Sequence, residues 1–109
     1  MAYYDEEDLD RFQEISRERP ELFTAFMHWY DAVLQEGALT KREKALIGLA
    51  VAHAIPCPYC IDSYTQTCLD AGSNMEQMTE AIHVAAAIRG GATLIHGLQA
   101  RRVVEKLSL

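Results

Sequence analysis

Residues 40–68 read TKREKALIGLAVAHAIPCPYCIDSYTQTC, and the rest of the chain is organised around them. Thr40-Lys41-Arg42-Glu43 matches a capping box, in which Thr40 bonds forward and Glu43 reaches back. The helix it opens, Ala45 to Ile55, is apolar on every side except at Gly48 and His53. Such a helix belongs at the centre of a fold or against another subunit. Its small residues (Ala45, Gly48, Ala50, Ala52, Ala54) allow neighbouring helices to approach closely. Ile55-Pro56 then leads into Cys57-Pro58-Tyr59-Cys60, two thiols placed where a helix begins. Unpaired N–H groups and the positive end of the macrodipole favour thiolate over thiol there. Cys57 sits at the lip, before a proline suited to a first turn, and Cys60 lies further inside. The expectation is a cytosolic dithiol redox site on a small all-helical domain.

Working outward toward the C-terminus, Ile61 to Ala71 continues as a more polar helix ended by Gly72. Ser73-Asn74-Met75-Glu76 reads as a second capping box. Met78, Ile82, Val84, Ala85 and Ile88 carry a fifth helix to Arg89, Gly90-Gly91 interrupts it, and Thr93 to Leu107 reads as a sixth. Toward the N-terminus, Leu9, Phe12 and Ile15 form a narrow apolar stripe on a first helix over residues 5–17. Pro20 ends it and suits the first turn of a second helix, since the residue before proline is pushed out of the helical region. Leu22, Phe23, Phe26, Met27, Trp29, Tyr30, Val33 and Leu34 give that second helix a broad apolar face through Glu36, with Gly37 as the stop. No period-2 run rich in β-branched residues occurs anywhere. The fold class is therefore all-α, with six helices and no internal repeat or linker.

At 109 residues the chain is one domain, 1–109, which buries roughly two thirds of its unfolded surface on folding. The net charge is −6, with Asp5, Glu6, Glu7, Asp8 and Asp10 crowded near the start. That balance argues against nucleic acid or anionic lipid as a partner, because phosphate recognition needs clustered Lys and Arg. The basic runs Lys41-Arg42-Lys44 and Arg101-Arg102-Lys106 are short and read as solvated helix faces. Residues 1–20 lack a basic segment followed by an apolar run, and no apolar stretch is long enough to cross a bilayer. Three cysteines without an export signal point to a reducing, cytoplasmic compartment and against a structural disulfide framework.

A lone C-x-x-C has three readings: redox dithiol, half of a zinc site, or coincidence in a cysteine-tolerant core. A thioredoxin-like βαβ pattern is absent, and so is the second ligand pair that zinc requires. His53, Cys68 or His83 join a metal site only if tertiary folding brings them in. The helical context favours redox chemistry. His53 lies four residues before Cys57 and is the candidate proton carrier, because histidine titrates near neutral pH. Its bland alternative is a core histidine bonded to a carbonyl. His83 and His96 sit in similar apolar settings and read either as converging groups or as separately satisfied residues, and His28 reads as packing beside Trp29. Tyr64, four after Cys60, shares its helix face and is placed to donate to a thiolate or peroxide, although a packed tyrosine is commoner. Glu43 is accounted for by its cap. Cys68 reads as an inert buried thiol.

The run Leu39 to Ala52, then Cys57-x-x-Cys60, then Ala81-Ile82-x-Val84-Ala85-Ala86-Ala87-x-x-Gly90-Gly91, resembles the core of the carboxymuconolactone decarboxylase and alkylhydroperoxidase D superfamily over about residues 20–100. GALTKREKALIGLAVAHAIPCPYCIDSYTQ and IHVAAAIRGGATLIHGLQ look closest to its peroxidase-like members associated with arsenosugar biosynthesis. The resemblance implies an alkylhydroperoxidase D-like helical bundle with a single repeat per subunit, assembled as trimers or hexamers. It implies thiol peroxidase chemistry without a bound cofactor or metal. The cysteine matching Cys60 attacks a small peroxide, the one matching Cys57 resolves the sulfenic acid to a disulfide, and an external thiol or dithiol reduces it. Ala45 stands where that pattern has a glutamate, and Tyr64 where it has a histidine, which leaves His53 as the substitute proton carrier with Tyr64 or His83. The decarboxylase branch lacks the cysteine pair, so that activity is not implied. The rival from the binding class is a zinc or trivalent-arsenic site on Cys57 and Cys60 with Cys68 or His53. A non-enzymatic assembly module is the third.

Overall fold

The computed structural model describes residues 4–108. It contains five α-helices, with no strand among the described residues. They are α1 (Glu7–Asp10), α2 (Pro20–Leu34), α3 (Lys41–Ala54), α4 (Pro58–Asp70) and α5 (Met75–Leu107), with a 3₁₀ segment, Phe12–Ser16, between α1 and α2. The all-helical expectation holds, but six helices become five. The first expected helix divides into α1 and the 3₁₀ segment, and the last two fuse into one helix of 33 residues.

The fusion has a simple physical cause. Glycine costs a helix interior about 1 kcal/mol relative to alanine, but it ends a helix only when it adopts the left-handed conformation. Gly72 does so, with φ +87°, and it is the one described residue with positive φ. Gly90 and Gly91 stay helical, and the Thr93 hydroxyl donates back to the Arg89 carbonyl at 2.9 Å instead of capping a new helix.

Local signals set the other boundaries. The Thr40 cap forms as read, with Glu43 N–H on Thr40 Oγ1 at 3.1 Å and Thr40 N–H on Glu43 Oε1 at 2.8 Å. Those bonds hold the Glu43 carboxyl below the usual carboxylate range. Stability from this cap is therefore present at neutral pH and lost as pH falls through the lowered value. The second cap is displaced by one residue from the expected Ser73–Glu76. Asn74 Oδ1 accepts from Gln77 N–H at 2.8 Å, and Gln77 Oε1 accepts from Asn74 N–H at 3.0 Å. Ser73 is instead used to close α4, its N–H reaching the Cys68 carbonyl at 2.8 Å while Gly72 N–H reaches Leu69 at 3.0 Å. That pair of bonds is a Schellman closure.

As expected of its composition, α3 is central, packing against both α4 and α5. The core is Ala45 and Leu49 of α3, Cys68 of α4 and Met78 of α5, with Leu46, Tyr64, Ala71 and Ile82 around it. Lys44 ties α2 to α3 by donating to the Val33 and Gln35 carbonyls at 2.7 and 2.5 Å. Phe12 meets Phe23 with ring centroids 5.5 Å apart, seating the 3₁₀ segment on α2.

Much apolar surface stays outside. The radius of gyration is 18.9 Å, against about 13 Å for a compact domain of this length. The accessible surface is 8634 Å², whereas a folded monomer of this mass exposes about 6,100 Å². Leu22, Phe26 and Trp29 of α2, Ile47, Val51 of α3, and Ile88, Leu94, Ile95 and Leu107 of α5 are all exposed.

Candidate functional site

Chain direction reverses between α3 and α4, and both cysteines lie where α4 begins. Cys57 is the residue that caps α4, with Pro58 in the first helical position and Cys60 in the third. Cys57 N–H donates to the Ala52 carbonyl at 2.9 Å, anchoring the turn to the end of α3. Arg89 of α5 donates to the Ala54 carbonyl at 2.7 Å, a second brace on the same turn. The Cys57 and Cys60 sulfurs are bonded to each other, with Cα atoms 5.2 Å apart, a separation normal for a bridge. Cys60 N–H points at Cys57 Sγ at 3.2 Å. The Cys60 N–H, in the first turn of α4, is therefore directed at Cys57. Both residues are half-buried, neither sealed in the core nor fully open.

Of the other candidates, His53 sits in the last turn of α3, half-buried, with Nδ1 2.8 Å from the Leu49 carbonyl. That is the bland arrangement, a histidine bonded within its own helix. It fixes Nδ1 as the protonated nitrogen and leaves Nε2 as the basic one. Tyr64 points its hydroxyl at the Tyr30 hydroxyl of α2, so its hydrogen bond goes to a phenol and not to a sulfur. Burial, then the Tyr30 contact, pushes the Tyr64 phenol well above its ordinary value, which keeps it neutral. Its ring lies against Gly48, where an added Cβ would sit 2.6 Å from both Cδ1 and Cε1.

Gly48 is thus required by the ring of Tyr64. Gly48→Ala is expected to lose about 1 kcal/mol net, overpacking of about 1–3 kcal/mol being partly offset by alanine's better helix propensity. The ring must swing, so near-ultraviolet circular dichroism from tyrosine should change along with the denaturant midpoint. An unchanged spectrum and midpoint would show that the ring is not held there.

Cys68 is free and 0 % exposed, and burial raises its thiol above the usual value, as expected of an inert core cysteine. His28, His83 and His96 are exposed. Among the described residues no three His, Cys, Asp or Glu side chains are grouped to hold a metal ion, so of the two readings left open for the histidines the converging one finds no support. A recess of about 510 Å³ bordered by Leu34, Thr40, Arg42, Thr67 and Asp70 lies at the far end of α4 from the cysteines.

Sequence reasoning missed several residues around the turn. Tyr30 read only as part of an apolar face, and Arg89 only as a helix end. Tyr59, between the cysteines, donates to Asp8 Oδ2 at 2.7 Å, which raises its phenol above the ordinary value. Tyr4 donates to Asp62 Oδ2 at 2.5 Å. These partners are 34 to 58 residues apart in sequence, and no local spacing signals them.

Comparison with known proteins gives a consistent answer. The model of the carboxymuconolactone decarboxylase family matches residues 20–102. A Paracoccus denitrificans protein, described as uncharacterized protein 4 in the cox locus, is 39% identical over 94 residues, covering 86% of this chain and 85% of that one. A crystal structure of a Methanobacterium thermoautotrophicum protein superposes with a TM-score of 0.75 at 35% identity, covering 79% of this chain and 97% of the other. A Legionella pneumophila structure in its apo form, described as a member of the same family, gives 0.71 at 31% identity over 94% and 92%. No described helix is long and apolar enough to cross a membrane.

Proposed function

We propose, for a chain that belongs to the carboxymuconolactone decarboxylase family, a thiol-dependent peroxidase function carried by Cys57 and Cys60. The observation that carries it is the close pairing of those sulfurs at the mouth of α4, half-buried and braced from α3 and α5. In the dithiol form the Cys60 thiolate attacks the distal oxygen of a hydroperoxide. The O–O bond breaks, alcohol or water leaves with a proton, and Cys60 becomes a sulfenic acid. Cys57 thiolate then attacks that sulfur, expelling water after protonation, and the disulfide forms.

Reduction runs the exchange outward. An external thiolate attacks Cys60 sulfur and expels Cys57 as thiolate. A sulfur facing the Cys60 N–H at a helix start is the better leaving group of the two. A second thiol on the reductant closes its own disulfide and frees Cys60. Two electrons and two protons pass to the protein and no bound cofactor takes part. His53 Nε2 is the proton carrier in this reading, and Tyr64, kept neutral, is a hydrogen-bond donor. In this reading the chain acts as an arsenosugar-associated peroxidase-like member of the family, in a reducing cytoplasm.

The same reading includes a homo-oligomer, a trimer or hexamer. The protomer exposes about 2,500 Å² more than a monomer of its mass needs, which is the scale of an obligate interface. The exposed aromatic face of α2 and the long apolar flank of α5 are the surfaces to be covered.

Trapping thiols before and after one equivalent of hydroperoxide tests the chemistry. Mass spectrometry should show Cys57 and Cys60 lost together as a disulfide while Cys68 remains a thiol. Both thiols surviving the peroxide would remove the peroxidase reading.

A further inference from the structure

Beyond Arg89 the last helix leaves the body of the protein. Arg89 still reaches the Ala54 carbonyl at the end of α3, but every residue from Ala86 to Ser108 is exposed. Residues 90–107 run on as unbroken helix for about 27 Å, and the molecule is drawn out to 59 × 38 × 37 Å. The helix carries an apolar stripe at heptad spacing, Val84, Ile88, Gly91, Ile95 and Leu98. Its four large members are 47–68 % exposed, on a different flank from Met78 and Ile82, which join the core. Gly91 is a notch in that stripe, since a Cβ there would meet nothing within 4 Å in its own copy. α2 has a stripe of the same kind, Leu22, Phe26, Trp29 and Val33, all exposed, beside the half-buried Phe23, Met27, Tyr30 and Leu34. Leu22 to Val33 spans about 16 Å and Ile88 to Leu98 about 15 Å, so the two stripes match in length. They differ in charge. Residues 5–36, around the α2 stripe, hold ten acidic and three basic side chains, whereas residues 89–107 hold four basic and one acidic.

We propose that the distal half of α5 docks lengthwise and antiparallel on the α2 face of a second copy of this chain. Each copy gives one arm and accepts one. This rests on the homo-oligomer part of the function proposed above and names the interface. Two heptad stripes packed along each other bury the side chains that a single copy leaves in water. Charge sets the direction. Antiparallel packing carries Arg101, Arg102 and Lys106 past Leu22, where the Phe12–Phe23 contact holds the end of the acidic opening segment on α2. Parallel packing would carry them past Val33 instead. That end of α2 is bound by Lys44 and shares a recess with Lys41 and Arg42, so like charges oppose it.

The test uses the full-length chain, needs no peroxide turnover, and reads mass by sedimentation velocity. Leu98→Glu spoils the arm and Trp29→Glu spoils its seat. Both side chains are exposed in the single copy, so each variant should keep its helical circular dichroism; Ile95→Lys and Val33→Lys replace them if that signal is lost. Each variant alone should self-associate at least about thirtyfold more weakly than wild type. Mixing the two variants is decisive. The intact arm of the Trp29→Glu copy meets the intact α2 of the Leu98→Glu copy, and a one-to-one complex should form. Arm-to-arm or α2-to-α2 pairing gives no such rescue. Arg101→Glu with Arg102→Glu should weaken assembly severalfold, and adding Glu7→Lys with Asp10→Lys should restore it to within about twofold of wild type. Failure of that restoration overturns the antiparallel docking. An assembly that persists in either single variant, or variants that stay unpaired when mixed, overturns the docking and leaves the homo-oligomer reading in place. A wild type that sediments as a monomer removes both.

Discussion

Cys60→Ser is expected to lower peroxide consumption by at least about a hundredfold, since a serine hydroxyl at neutral pH does not replace a thiolate nucleophile. The partner substitution separates the two sulfurs. In Cys57→Ser the first step survives, so one equivalent of peroxide is consumed and Cys60 stops at the sulfenic acid, open to further oxidation. A dimedone adduct on Cys60 in that variant, and none in Cys60→Ser, is the expected pair of results. The helix geometry makes the reverse assignment a serious competitor, because the Cys60 N–H in the first turn of α4 faces Cys57 Sγ and favours a thiolate there. If the adduct forms on Cys57 in Cys60→Ser, and peroxide is still consumed once, the roles are exchanged. If neither variant differs from wild type, the cysteines do not carry the chemistry at all.

The readable part of this molecule is the part encoded over a few residues. Thr40 and Glu43 specify the start of α3 within one turn, and Cys57-Pro58 specifies the start of α4. The misread boundaries also have local causes, but residue spacing alone does not decide between the alternatives. Ser73-x-x-Glu76 and Asn74-x-x-Gln77 both fit a capping box. Ser73 was unavailable as the cap because its N–H closes α4 on the Cys68 carbonyl. Gly90-Gly91 looks like Gly72 in sequence, yet only Gly72 has the left-handed backbone that turns the chain. Of the site, the cysteine pair was legible and its surroundings were not. The partners of Tyr59, Tyr64 and Asp62 come from α1, α2 and the opening segment, and only packing brings them together.

Leu49→Ala should be the most damaging core substitution, costing about 2–5 kcal/mol. Leu49 is 1 % exposed, its carbonyl holds the His53 ring, and it shares the core with Cys68. Only seven described residues are buried, and of these Leu49 and Cys68 are the largest that are fully enclosed. A protomer with so thin an interior has little to offset a cavity, and a loss of that size is a large share of an ordinary domain's stability. Cys68 supplies an internal reporter. In the native protein it is sealed and its thiol is raised by burial, so an alkylating reagent modifies it only through opening of the core. Leu49→Ala should therefore shift the urea midpoint down at fixed protein concentration and speed Cys68 alkylation by roughly thirtyfold or more, the factor a 2 kcal/mol change in an opening equilibrium sets. The concentration must be held constant because assembly and folding are linked in a chain that exposes this much apolar surface. A midpoint that drops without faster Cys68 labelling would place the weakened contacts elsewhere and separate Leu49 from the core that supports α3 under the cysteine turn.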